Sequence, residues 1–242
     1  MVHSRSHAAN RDRACADSGR RLRPAVAARK VVGMPLTWLV TGCSRGLGRA
    51  LAEAVAASGD RLVATARDPD TLADLFDRYP DRVLAVALDV TDRERPVAAV
   101  EAAVAGFGRL DVVVNTARYV RVASIEDVDE AEFRAQVETN LWGAINVTRA
   151  ALPAMRAQRS GRIIQAGSIG GADTPGLGPF QTAASGVEGF CRVLAREVAP
   201  LGIHVTAVEP GDAAVGDRNE TVRTIMRLAT VREPPVRLNR AA

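Results

Sequence analysis

From Leu36 onward the chain alternates short apolar runs with longer amphipathic stretches. The runs Leu36–Thr41, Arg61–Ala66, Val83–Leu88, Leu110–Asn115, Arg162–Ala166 and Ile203–Val208 are rich in Val, Ile and Leu and too short for helices, so each predicts a strand. The stretches near 46–58, 69–78, 93–106, 127–158 and 180–199 carry helical spacing. Regular alternation of this kind predicts an α/β fold, a Rossmann-like doubly wound parallel sheet of about six strands with helices on both faces. Right-handed crossovers then place any ligand beyond the carboxyl ends of the strands. After Gly211 the pattern changes: one short helix is expected at about Arg218–Thr230, then "REPPVRLNRAA", with no further strand. Three parts follow: a basic tail over 1–33, a Rossmann domain over 34–216, and a short C-terminal tail over 217–242.

The turn after the first strand reads "TGCSRGLG", Thr41–Gly48, and opens the first helix. Gly42, Gly46 and Gly48 allow a sharp turn, and the helix start offers free N–H groups to a pyrophosphate. The strand–turn–helix setting gives this glycine pattern its meaning. The second strand ends "ATARDP" without the acidic residue that suits a ribose 2′-hydroxyl. Arg67 there and Arg45 in the glycine loop suit a 2′-phosphate, so NADP(H) is the expected dinucleotide, unless both are simply solvated surface arginines.

Charge narrows the partners. Residues 1–33 hold eight Arg and Lys against two Asp, leaving 24 basic and 26 acidic residues in the rest. The folded part is mildly acidic, which argues against nucleic acid. The basic head reads as a tail or an over-extended start, with Met34 as the working start. Cys15, Cys43 and Cys191 are odd in number and lack metal spacing; His204 lies in the apolar run "GIHVTAV" and reads as structural. No apolar run reaches the roughly 20 residues of a membrane span. The expectation is a cytoplasmic protein that acts on a small molecule, without metal, nucleic acid or membrane.

"TGCSRGLG", "LDV" at 88–90, "VVVNTA" at 112–117, "TNLWGAINVTRA" at 139–150, "GSIGG" at 167–171 and "VEPG" at 208–211 stand in the order and spacing of the short-chain dehydrogenase/reductase family. The chain resembles that family from about Leu36 to Gly211. The resemblance implies nucleotide contacts at Ser44, Leu47, Asp89, Val90, Ala117, Pro210 and Gly211, with Asn115 fixing the central strand. It makes Asn140 and Ser168 matches for two catalytic positions. It also implies a homodimer through the helices near 127–158 and 180–199, whose small and apolar residues such as Ala144, Val147, Ala151, Val187, Phe190 and Leu194 allow close helix packing, although their inner faces must also cover the sheet and part of this pattern is ordinary core. A tetramer is not expected, because the second interface of the family needs a final strand.

The departures from the family pattern cluster. Its Asn-Asn-Ala-Gly stands here as Asn115-Thr116-Ala117-Arg118, and its Tyr-x-x-x-Lys as Phe180 and Ala184. Lys30 is the sole lysine and Tyr79 and Tyr119 the sole tyrosines, so no shift of alignment restores the pair. Val215 stands where the family has a threonine near the nicotinamide amide. The adenosine half of the site is kept and the nicotinamide half is eroded. Losing one general acid costs about 10²–10⁴ in rate. Arg118 and Tyr119 after the fourth strand and Asp173 after the fifth are new polar groups near the vacated position. They suit non-redox chemistry such as cyclisation, isomerisation or dehydration; Arg118 as a plug, Asp173 as a turn former and Tyr119 as pocket wall are the plainer alternatives. The expectation is a repurposed small-molecule enzyme, with a silent partner subunit and a weak NADPH-dependent reductase as the rivals.

Overall fold

A computed structural model describes residues 34–166, 174–208 and 218–238 of the chain. Seven strands are seen among them: β1 (Thr37–Val40), β2 (Arg61–Ala66), β3 (Val83–Ala87), β4 (Val112–Asn115), β5 (Gly161–Ala166), β6 (Ile203–Val208) and β7 (Arg237–Leu238). All neighbours pair in parallel, in the order β3-β2-β1-β4-β5-β6-β7. The strand order reverses between β1 and β4, which opens the crevice where such sheets bind ligands. The apolar runs are continuous because both faces are covered: every residue of β1 and of β4 is buried.

The helices are α1 (Gly46–Ala57), α2 (Ala73–Arg78), α3 (Arg95–Phe107), α4 (Glu130–Val137), α5 (Gly143–Gln158), α6 (Gly178–Val198) and α7 (Arg218–Leu228). One half of the core packs α3, α5 and α6 on the sheet through Leu39, Val113, Ile163 and Val205. The other packs α1, α2 and α7 through Trp38, Val40, Val114 and Ile164. Pro96 starts α3, where its missing N–H costs nothing, and Gly108 at φ 80° ends it. The single long helix expected over 127–158 is broken into α4, a π-helical turn at Glu138–Trp142, and α5.

Three expectations change. The sheet has seven strands, not about six, and a final strand is present. β7 escapes a sequence reading because it is two residues long and follows Pro234-Pro235, which cannot donate to a ladder. It is held by tertiary bonds: Ala207 N–H donates to the Val236 carbonyl (2.8 Å), the Thr206 hydroxyl to the Pro235 carbonyl (2.7 Å), and Arg237 pairs with Glu188 (2.8 Å). The argument against a tetramer therefore loses its premise. The core also runs on past the boundary placed at 216, since Val222, Ile225 and Leu228 of α7 are buried with α1. Finally, Ala144, Val147, Ala151, Val187 and Leu194 are buried against the sheet, and Phe190 packs on them. The first five are core and Phe190 is half-buried; the outward side chains of those helices include Trp142 and Val193.

Candidate functional site

The site is built at the switch point from the loops after β1 and β4. Thr41 joins the two: its hydroxyl oxygen accepts from Thr116 N–H (3.0 Å) and Ala117 N–H (3.1 Å), and Thr116 returns its own hydroxyl to the Thr41 carbonyl. The glycines of the first loop are required by space as well as by turning. A Cβ at Gly42 would stand 2.8 Å from Ala117 Cα, and one at Gly48 would enter the Gly42 carbonyl oxygen and the Thr116 hydroxyl. Gly46 has φ +66° and nothing within 4 Å of its Cβ position. The start of α1 has no side-chain cap and no acidic residue in its first turn. Exposed backbone N–H groups, open space and a positive helix end fit a pyrophosphate.

The loop after β3 lies at the same edge of the sheet. Val90 is buried beneath Gly143, where any Cβ would lie 2.5 Å from Val90 Cγ2, and Asn146 donates to the Val90 carbonyl (3.1 Å). Asp89 is exposed and accepts from the Thr91 N–H and hydroxyl (3.0 and 2.8 Å). Ser44, Arg45 and Arg67 are exposed at the same edge, while Leu47, in the first turn of α1, packs against the core. Asn115 lies beside Gln165 across β4 and β5, and both amides reach Thr148 of α5 (3.4 and 3.1 Å).

The other side is organised by two amides that the pattern of apolar positions did not single out as a pair. Gln136 and Asn140 are both buried, one turn apart. Asn140 accepts from Tyr119 N–H (2.9 Å) and donates to the Tyr119 carbonyl (2.7 Å). Gln136 does the same for Arg121 (3.2 Å each way). The two side chains thus replace a neighbouring strand for residues 119–121. Asn140 lies within the wide turn at Glu138–Trp142, and at i+4 it shares a helix face with Gln136. A polar pair at i and i+4 was the available signal for Gln136, and its function becomes visible only when the loop lies across it.

With 116, 117, 119 and 121 pinned, Arg118 projects from a fixed backbone. Its guanidinium carbon lies 5.9 Å from the centre of the Phe180 ring, at the start of α6. The residue is exposed, and partial desolvation by the surrounding protein lowers its pKa. A guanidinium on an aromatic face is worth about 0.5–2 kcal/mol, the upper end where water is excluded. Ala184, one turn further along α6, is 1% exposed, so a lysine there would be buried. Tyr119 directs its hydroxyl to Glu132 (2.9 Å), and that carboxylate raises the phenol pKa. The tyrosine is therefore held against α4 as a poor acid. Ser168, Asp173, Pro210, Gly211 and Val215 lie outside the described residues.

The model of the short chain dehydrogenase family matches residues 37–224. The chain belongs to that family. Oxidoreductase BOA17 of Botryotinia fuckeliana is 46% identical over 203 residues, which span 83% of this chain and 73% of the relative. The 3-oxoacyl-(acyl-carrier-protein) reductase FabG of Vibrio cholerae is 35% identical over 198 residues, 81% of either chain. A crystal structure of a short-chain dehydrogenase from Streptomyces avermitilis superposes with a TM-score of 0.79 at 34% identity, covering 86% of this chain and 89% of that one. Family membership accounts for the switch-point crevice and the glycine-rich turn together. No described helix is long and apolar enough to cross a membrane, and no three His, Cys, Asp or Glu among the described residues group as metal ligands.

Two cavities sit near these elements. One of about 10 Å³ lies behind the site among Thr41, Asn115, Ala117, Asn140 and Gly143, room for a single water. A groove of about 800 Å³ runs between α3 and α5, past Val97, Val104, Trp142 and Pro153. The groove is far larger, and of the site residues described above only Asn146 and Trp142 reach it.

Proposed function

We propose that this short-chain dehydrogenase relative is a small-molecule enzyme that works without hydride transfer, with an NADP(H) cradle inherited from oxidoreductase ancestry. The observation that carries the reading is the Arg118–Phe180 stack. A ring without an ionisable proton stands where the family pattern has its acid, and a guanidinium covers it from the position of a glycine. NADP(H) bound in the cradle would supply hydride, but the protein offers neither the phenol that protonates a carbonyl nor the lysine that assists it. Arg118 can instead polarise an oxygen and stabilise negative charge on it, as cyclisation, isomerisation or dehydration requires. Asn140 and Tyr119 act in this reading as positioning residues, since both are engaged in fixing the loop. Buried free thiols at Cys43 and Cys191 accord with a cytoplasmic setting.

A second reading, a silent partner subunit, is favoured by the small size of the cavity among Thr41, Asn115, Ala117 and Asn140. NADPH oxidation with a carbonyl panel tests the absence of hydride transfer in both readings, and the expected turnover is far below the enzyme median of about 10 s⁻¹. Turnover near that median rejects both. Calorimetry separates the nucleotides: NADP(H) should bind more tightly than NAD(H), with the preference reduced in Arg67→Ala.

A further inference from the structure

The segment after Arg118 is extended and has two unlike faces. Asn140 pairs with the N–H and the carbonyl of Tyr119, and Gln136 with those of Arg121, two residues on. Backbone groups that recur on one edge at every second residue mark a strand-like path, whose side chains alternate between two faces. One face is polar and closed: the Tyr119 hydroxyl and the Arg121 guanidinium both meet Glu132, at 2.9 and 3.7 Å. The alternation puts Arg118, Val120 and Val122 on the other face.

This second face meets the start of α6. Arg118 stacks on Phe180, the third residue of that helix. Val122 Cγ1 lies 2.8 Å from where a Cβ of Gly176 would stand, and Ile125 Cδ1 occupies the place of a Cβ on Gly178. Ala123 N–H fastens the two segments by donating to the Gly176 carbonyl at 3.0 Å. The aliphatic groups are nevertheless in water: Val120 is 44% exposed, Val122 70% and Ile125 67%. The charged groups of the loop are committed elsewhere. Arg118 is already engaged, Arg121 is paired with Glu132, Asp127 accepts from the Ser124 hydroxyl (2.5 Å), and Asp129 caps α4 through Ala131 N–H (3.2 Å). A charged ligand group brought onto this surface loses hydration without gaining a free counter-charge from those residues. An apolar group gains in proportion to the methyl surface it covers. Glu126, exposed in the turn beyond Ile125, is the exception, and its sign disfavours an anion.

We infer that the substrate is an uncharged molecule with an apolar body, which lies along Val120, Val122 and Ile125. This assignment rests on the small-molecule reading above and names the substrate class of that site. It makes the three aliphatic side chains specificity-determining residues.

The test is calorimetric titration of the full-length protein, without nucleotide, with 2-octanone, 2-hexanone, sodium octanoate and octylammonium chloride. 2-Octanone should bind with Kd at or below about 1 mM. 2-Hexanone, two methylenes shorter, should bind about tenfold more weakly, and so should both charged ligands. The double variant Val122→Ser/Ile125→Ser should weaken 2-octanone about tenfold. Val120→Ser replaces it if the double variant fails to fold by circular dichroism. Val97→Ser/Val104→Ser, in the groove between α3 and α5, should leave the affinity unchanged. Either charged ligand binding as tightly as 2-octanone, equal affinity for the two ketones, loss of binding in the groove variant instead of the rim variant, or no ketone binding overturns the assignment. Because no nucleotide is present, the titration is independent of the redox test. Fast NADPH turnover would retire the non-redox reading and leave the titration interpretable; a failed titration with no NADPH turnover retires this assignment alone.

Discussion

Replacing Asn140 with alanine distinguishes a residue that fixes the loop from one that performs chemistry. The side chain is buried and makes two hydrogen bonds, 2.9 Å from Tyr119 N–H and 2.7 Å to the Tyr119 carbonyl. A typical protein hydrogen bond contributes about 0.5–1.5 kcal/mol net. The Tyr119 backbone is only partly buried, so water can reach it once the amide is gone, and the loss stays toward the low end for each bond. The expected cost of Asn140→Ala is therefore about 1–2 kcal/mol in urea unfolding. The same energy should appear locally as faster hydrogen exchange at Tyr119, about five- to thirtyfold if opening is confined to the loop. Gln136 provides the internal control. Gln136→Ala should show the larger exchange effect at Arg121, and the double variant should cost less than the sum, since each amide orders the segment for the other. Asn140→Asp keeps the acceptor but sets a carboxylate against the Tyr119 carbonyl, so it should be no more stable than the alanine variant. A cost below about 0.5 kcal/mol with unchanged exchange at Tyr119 would refute the reasoning and free the Asn140 amide for a direct role.

Three further outcomes follow from the same geometry. Gly48→Ala drives a methyl group into the Gly42 carbonyl and Thr116, so differential scanning fluorimetry should show a loss of about 1–3 kcal/mol, or about 2–12 °C in Tm, and no stabilisation by NADPH. Cys43 and Cys191 are buried and their thiol pKa values are pushed up to about 12 by loss of hydration, so peptide mass spectrometry after iodoacetamide at about pH 8 should find both unmodified in the native protein and both modified in urea. We also propose a homodimer through the outer faces of the helices over 127–158 and 180–199; light scattering should give a dimer, Val193→Glu should weaken it, and a monomer or tetramer for the unaltered protein would reject it.

The extent to which the fold was legible depended on how local its cause was. β1 to β6 are short apolar runs because the faces of a parallel sheet are covered, most fully at β1 and β4, where every residue is buried. The glycine cradle was equally legible, since Gly42, Gly46 and Gly48 are needed for a backbone path that no larger residue can follow. The exchange of tyrosine and lysine positions for Phe180 and Ala184 could be read directly from residue types. β7 could not, because its two residues are strand only through the partners that β6 and Glu188 supply. Nor could the division of labour on α5 and α6, where the same small apolar side chains would serve a sheet or a second subunit and only packing decided for the sheet. The site shows the same limit. Arg118 and Phe180 are 62 positions apart in the sequence, and their stack exists because β4 ends and α6 begins at one edge of the sheet. Gln136 and Asn140 are ordinary helix polar residues until the loop crosses them. Short-range sterics and burial are written into the chain locally. Which distant groups share a site is set by the crossovers, and only the tertiary structure decides that.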